Sequence, residues 1–300
     1  MSDERSDIAH IVVVGAGIAG TCVATVAREA GLRAIVIDTP PPKGFVSGSR
    51  AAIGIMRMAW MKTPRQKARC LRSIQWYKDH GLLLGTTAEV STYTKAQPRT
   101  VADYFQVDVA NALITPDYTE LVTRANEYGV FTDTGLMYPA SLAVVICAGP
   151  QSPMFGGPQF DHNTIGATFI GPPEPGSGLR VHRYTPYKCL AISREAHCTR
   201  LGSSTVHVPY SNEPHIKVQH PVDSLQQLMR RCGPEFADPT RRATPLIGMR
   251  AHDKNLTDDY NPVWLNDRLV RFAGLGKLGY SLAPAVAEEI VTALVRSRMF

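Results

Sequence analysis

The chain has 300 residues, 44% of them hydrophobic, and a formal net charge of +6, which allows a sizeable buried core and is too mildly basic for a dedicated nucleic-acid binder. The amino terminus MSDERSDIAH is charged where a secretory signal needs an apolar run, and IVVVGAGIAG and LAVVICAG are too short to cross a bilayer, which predicts a cytoplasmic protein without a membrane partner. The six cysteines show no CxxC pair and read as reduced thiols; a zinc site at His197, Cys198 and His207 competes with ordinary polar or core roles for them, and no metal is expected.

In chain order, HIVVVGAGIAGTCVATVAREAGLRAIVID reads as strand, tight turn, helix and strand, the opening of a parallel sheet. Gly15, Gly17 and Gly20 form a G-x-G-x-x-G, whose bare backbone and following helix N-terminus suit a pyrophosphate, with Ile18 and Ala19 inside the motif. Asp38, followed by Thr39, ends the next strand, where its carboxylate can accept from a ribose 2′-OH and repel a 2′-phosphate, favouring FAD or NAD over NADP. SGSRAAIGIMRMAW is too glycine-rich for a plain helix and too apolar for an exposed loop, so it lines something. Thr63 and Pro64 then start a helix whose stripe Ala68, Leu71, Ile74 and Tyr77 predicts one buried face, with Gly81 as the stop.

Between Asp38 and Asp79 there is no acidic residue, whereas Lys43, Arg50, Arg57, Lys62, Arg65, Lys67, Arg69, Arg72 and Lys78 all fall there. The stretch from Arg57 to Arg72 is therefore a candidate anion-facing surface, set against a solvated helix face. Residues 85–140 read as β-rich segments with one short helix around TPDYTELVTRANEYG, and LAVVICAGP as a second buried parallel strand. GLRVHRY, KCLAIS and STVHVPY predict a strand-rich middle, in which Tyr184, Tyr187 and Tyr210 either orient a substrate or simply pack. DSLQQLMRRCG reads as a helix, RLVRFAG as a strand, and APAVAEEIVTALVRSR as a terminal helix with Pro284 near its first turn.

The chain returns to its sheet twice after insertions, unlike a simple nicotinamide dehydrogenase. With GAGIAG and Asp38, SGSRAAIGIMR, VVICAGP, PLIGMR and FAGLGKLGYSLAPAVAEEI, it resembles the D-amino-acid oxidase, glycine oxidase and sarcosine oxidase group of flavoproteins. The resemblance implies an α/β architecture: an FAD-binding, Rossmann-like domain of the glutathione-reductase type (1–84, 141–165 and 235–300) carrying an inserted β-rich substrate domain (85–140 and 166–234). It implies noncovalent FAD, since no cysteine lies between Cys232 and the C-terminus. The cofactor would meet Ser49, Arg50 and Ala51 along the flavin, Ala148 and Gly149 after the second strand, and Gly274, Gly276, Lys277, Leu278, Gly279 and Tyr280 in the closing turn. Lys277 stands either beside flavin and substrate or in solvent, and Arg241, Arg242 and Arg250 are the candidates for binding a substrate carboxylate.

The implied reaction is oxidation of a C–N bond of a small-molecule amine or amino acid to an imine that hydrolyses, with oxygen as acceptor. Two alternatives stand beside it: the same chemistry on a glycine-type amine carried by a modified pyrimidine in DNA or RNA, which the basic stretch would bind, and a binding module with an FAD fold and no turnover.

Overall fold

The computed structural model describes residues 8–41, 43–92, 95–174, 178–183, 189–202, 206–210, 219–232, 244–252 and 259–298. Strand β1 (Ala9–Val14) leads through a glycine turn into helix α1 (Ile18–Glu29), and β2 (Ala34–Asp38) returns beside it. Two short strands follow, β3 (Val46–Ser47) and β4 (Ile55–Met56), then helix α2 (Pro64–Asp79). The long β5 (Leu83–Thr92) and β6 (Lys95–Val107) precede β7 (Tyr118–Thr119), β8 (Val122–Asn126), β9 (Gly129–Thr132) and β10 (Met137–Ile146). The second half runs through β11 (His162–Gly171), β12 (Gly178–Arg183), β13 (Cys189–Arg194), β14 (Thr199–Gly202), β15 (Val206–Pro209) and α3 (Gln219–Cys232). It closes with β16 (Thr244–His252), β17 (Val263–Asn266), β18 (Leu269–Arg271) and α4 (Gly279–Ser297).

These strands form two sheets. The first has the order β17-β18-β10-β1-β2-β7, with β8 and β9 attached through β10. From β18 to β7 every neighbour is parallel. Ile11 to Val14 are fully buried because both faces are covered. Ile11 and Val13 pack toward α1, α2 and α4, while Val12 and Val14 pack against Val122, Val130 and Ile146 on the other face, the alternation a strand imposes. The second sheet, β3-β16-β11-β14-β13-β12-β5-β6-β4 with β15 on β11, buries Ile165, Phe169, Ile247 and Met249 under Val222, Leu225 and Met229 of α3.

Four expectations change. The helix expected around TPDYTELVTRANEYG is instead β7, β8 and the turn into β9. The Asp117 carboxylate accepts from the Val36 N–H (2.7 Å) and pairs with Arg28 (2.8 Å), so the chain enters beside β2, and Asn126 caps the NEYG turn through the N–H groups of Tyr128 and Gly129. The same pairing puts residues 118–140 in the first sheet, whereas β3, β4 and β16 belong to the second; the boundary at 141 therefore shifts, because sheet pairing crosses it.

Helix α2 starts as expected, with Thr63 Oγ1 accepting from the Gln66 N–H (3.1 Å), but it buries Gln66, Arg69, Cys70, Ser73, Trp76 and Tyr77 and leaves Leu71 exposed. Its inner face meets a polar groove on α4 as well as the core, and the apolar stripe misjudges it. Helix α4 begins at Gly279, and Pro284 lies inside it. Proline removes one helical donor, and the next N–H, of Ala285, reaches Ser73 Oγ on α2 at 3.4 Å. The segment Gly276–Ser297 is long and apolar enough to span a bilayer by length and composition, yet it packs against α1 and α2, and 67% of its most apolar 18-residue window is buried within the protein.

Candidate active site

The carboxyl ends of β1, β2, β10 and β18 open onto one cavity of about 1560 Å³, walled on its other side by the second sheet and α3. At one end is the turn after β1. Gly15 has φ +104°, and a Cβ there would stand 2.5 Å from the Cys147 carbonyl oxygen, so the turn can pass β10 only as glycine. A Cβ at Gly20 would overlap the Gly15 carbonyl oxygen, which fixes how closely α1 seats on the turn. The first turn of α1 has no side-chain cap and no acidic residue, leaving its positive end toward the cavity. Asp38 accepts from the Ala16 N–H at 3.0 Å; burial raises its pKa, against the lowering effect of that hydrogen bond and of Arg50.

The segment after β3 crosses the middle of the cavity. Ser49 Oγ accepts from the Ile18 N–H (2.9 Å), and the Tyr280 hydroxyl donates to the Ser49 carbonyl (3.1 Å), so one serine links the α1 turn to α4. Below it, Arg200 forms a buried pair with Glu195 (2.8 Å) and donates to the Arg50 carbonyl (2.8 Å). The second sheet thereby holds the loop in place.

At the far end, the turn Gly276–Leu278 meets the end of β16. His252 stacks on His162, ring centroids 4.6 Å apart and 7° from parallel, and His207 lies 5.4 Å from His162. Burial, then the charges of His162, Arg250, His207 and Lys277, lower the His252 pKa to about 4, so it is neutral near pH 7. The exposed Lys277 places its Nζ 5.6 Å from the Trp60 ring centroid.

Residues 10–76 match the family described as FAD binding domain. Glycine oxidase from Geobacillus kaustophilus superposes with a TM-score of 0.69 at 14% identity, covering 97% of this chain and 95% of that one. Iminodiacetate oxidase from Chelativorans sp. BNC1 gives 0.65 at 15% identity (96% and 95%), and L-proline dehydrogenase from P. horikoshii gives 0.66 at 13% (97% and 94%). No curated protein sequence matches the chain. The chain has the fold of these oxidases and this dehydrogenase, and its first βαβ unit matches an FAD-binding domain.

The residues present suit FAD. The cavity exceeds the roughly 300–1,000 Å³ typical of a site for one drug-sized ligand, which leaves room for a dinucleotide and a substrate together. Of the residues expected from sequence, Gly15, Gly17, Ile18, Ala19, Asp38, Thr39, Ser49, Arg50, Ala148, Gly149, Gly274, Gly276, Lys277, Gly279, Tyr280 and Arg250 line it.

Three others do not line it. Gly20 supports the Gly15 turn, Leu278 is buried in the helix-facing core, and Ala51 packs under the second sheet, its carbonyl accepting from Thr168 Oγ1 at 2.7 Å. Alternation along a tight turn turns such neighbours inward. Arg241, Arg242, Tyr184 and Tyr187 lie outside the described residues. Tyr210 is a packing residue, its hydroxyl donating to the Pro150 carbonyl at 2.9 Å. Cys198 donates to Glu195 at 3.4 Å, and among the described residues no cluster of His, Cys, Asp and Glu suits a metal.

The stretch SGSRAAIGIMRMAW, expected to line something, lines the cavity as far as Arg57 and Trp60, and His207, considered only for zinc, lines it too; sequence reasoning missed Tyr104, Arg183 and His252. Only β-sheet register brings His162, His207 and His252 together, and nothing local in the sequence signals it.

The basic stretch does not present a row of free cations. Arg69 is 1% exposed and pairs with Glu289, which also receives Arg72 and Arg65, while Arg72 approaches Glu288 at 4.0 Å. Arg69 donates further to the Asp259 carbonyl and to Asn261 Oδ1. For Arg65, Arg69 and Arg72 the carboxylates absent from residues 39–78 are supplied by Glu288 and Glu289, more than two hundred positions away.

Proposed function

We propose that the protein oxidises the C–N bond of an amine or amino acid with noncovalently bound FAD, forming an imine that water hydrolyses. The observation that carries this reading is the convergence of two glycine-rich turns on one cavity, each leading into a helix: GAGIAG before α1 at one end and Gly276–Leu278 before α4 at the other. Bound FAD supplies the hydride acceptor, with oxygen as the terminal acceptor and hydrogen peroxide as its product.

The chain's own residues would do the rest. The α1 N-terminus faces the pyrophosphate and Asp38 the ribose. The α4 N-terminus and Lys277 place positive potential where reduction adds negative charge. Arg250, beside them on the cavity wall, is the described candidate for a substrate carboxylate. The substrates named for the three neighbours, glycine, iminodiacetate and proline, are all amines that carry a carboxylate.

The test is anaerobic bleaching of the FAD-loaded protein by a panel of amino acids and N-substituted amino acids. Bleaching by members of the panel is expected. A flavin that no amine reduces would overturn the reading, and a purified chain that takes up no FAD would favour a binding module.

A further inference from the structure

Charge around this cavity is one-sided. Its lining includes Arg50, Arg57, Lys62, Arg183, Arg250 and Lys277, and the one carboxylate among the described lining residues is Asp38, at the ribose end. The pyrophosphate of FAD brings two negative charges, which Arg50 and the α1 N-terminus are placed to meet. The remaining cations stay in excess, with Arg57 largely enclosed and Lys62 and Lys277 at the exposed rim, and like charges lining one cavity repel.

Two of them lack adequate partners. Arg250 has no hydrogen bond or ion pair to a described side chain, and burial pushes its pKa below the ordinary guanidinium value. Arg57 is 11% exposed, and its guanidinium lies over the Tyr104 ring, 4.1 Å from the centroid. Its buried Nε has no hydrogen-bond partner. The nearest carboxylate, Asp103, is 3.8 Å away, and its two oxygens already accept from the Met58 (2.9 Å) and Ala59 (3.2 Å) N–H groups. A guanidinium packed over an aromatic ring with an unpartnered Nε has hydrogen-bonding capacity left for an anion.

Arg57 and Lys277 belong to the same end of the cavity. Trp60 connects them, its backbone N–H donating to the Arg57 carbonyl at 3.1 Å while its ring lies against Lys277, and Lys62 follows on the same wall. A substrate with one carboxylate and one ammonium group adds no net charge and leaves one of these cationic positions unmatched.

We propose that the substrate carries two anionic groups, one met by Arg250 and Lys277 and the second by Arg57 and Lys62, and is a dicarboxylic amine. This rests on the amine-oxidation reading and adds the charge of the substrate to it. Arg183 reinforces the second position: Val181 and Arg183, two residues apart on β12, present the same face, and both line the cavity.

The experiment follows anaerobic bleaching of the FAD-loaded protein by iminodiacetate, aspartate and glutamate, and by their singly anionic counterparts N-methylglycine, asparagine and glutamine. The bleaching rate divided by the half-saturating concentration should favour the dianions by at least about tenfold, the weight of one charge-assisted hydrogen bond. Arg57→Gln should bring that ratio toward one, and Arg57→Lys should keep part of it. Equal or better reduction by the singly anionic amines, or an equal loss for both classes in Arg57→Gln, would overturn the proposal.

A second measurement separates this failure from failure of the chemistry. Malonate and acetate, which cannot be oxidised here, are titrated against the flavin absorbance spectrum. Malonate should perturb it at a concentration at least about tenfold lower. If no amine bleaches the flavin but malonate still binds more tightly, amine oxidation fails and the two-anion site stands; if malonate binds no better than acetate, the two-anion site fails.

Discussion

Gly276 and His252 meet with no room for another atom: a Cβ at 276 would overlap the imidazole Cε1, and the glycine holds φ at +52°. The Gly-rich turn is thus shaped by a side chain of the second sheet. Gly276→Ala must displace His252 from its stack on His162 and strain the turn. A loss of more than about 1 kcal/mol in stability is expected, with slower flavin reduction; denaturant midpoints and anaerobic bleaching rates read the two effects. An unchanged midpoint would mean that the imidazole swings aside freely.

His252 also sets a pH dependence. Its pKa in the folded protein is lowered to about 4, below the roughly 6.5 of an unfolded histidine. The unfolded chain therefore binds more protons between those values, so this contribution to stability is complete above about pH 6.5 and is lost as pH falls toward 4. Unfolding free energies measured from pH 7 to 4 should fall more steeply for the wild type than for His252→Asn. Parallel curves would place the pH sensitivity elsewhere.

The cofactor end of this arrangement is legible in the sequence because it is local. Gly15, Gly17 and Asp38 carry their roles within one βαβ unit, and spacing alone reveals them. The opposite end is assembled from β4 to β18 by register, so Tyr104, His207 and His252 appear as isolated residues until the sheets pair. The basic stretch misleads for the same reason. A run without acids says nothing of Glu288 and Glu289, which reach it only after α2 and α4 pack.

Gly15→Ala should abolish retention of FAD. Its φ of +104° is unfavourable for alanine, and the added Cβ faces the carbonyl of Cys147, a backbone atom that cannot rotate away. The purified variant should show at least about tenfold less flavin absorbance per chain than wild type, if retention depends on the close approach of this turn to a phosphate. Full flavin content would show that β1 and β10 separate at little cost.

Glu289 should matter more than any of the arginines it receives. Removing Arg72 leaves Glu289 paired with the buried Arg69, whereas Glu289→Gln leaves Arg69, 1% exposed, with only the neutral Asp259 carbonyl and Asn261 amide oxygens. A buried charge stripped of its counterion costs about 3–5 kcal/mol in comparable cases; since Glu289 itself is 28% exposed, the lower part of that range is expected here. Burial alone would raise the Glu289 pKa, but Arg69 and Arg72 hold it below the usual value, so the pair stabilises the fold above the ordinary carboxylate pKa and is lost as pH falls through the lowered one. Urea midpoints at pH 7 should therefore rank Glu289→Gln well below Arg72→Gln, with Lys67→Gln close to wild type. Because α4 begins at the cavity, Glu289→Gln should also weaken FAD retention, and equal midpoints for all three variants would show that Arg69 is balanced by its neutral acceptors alone.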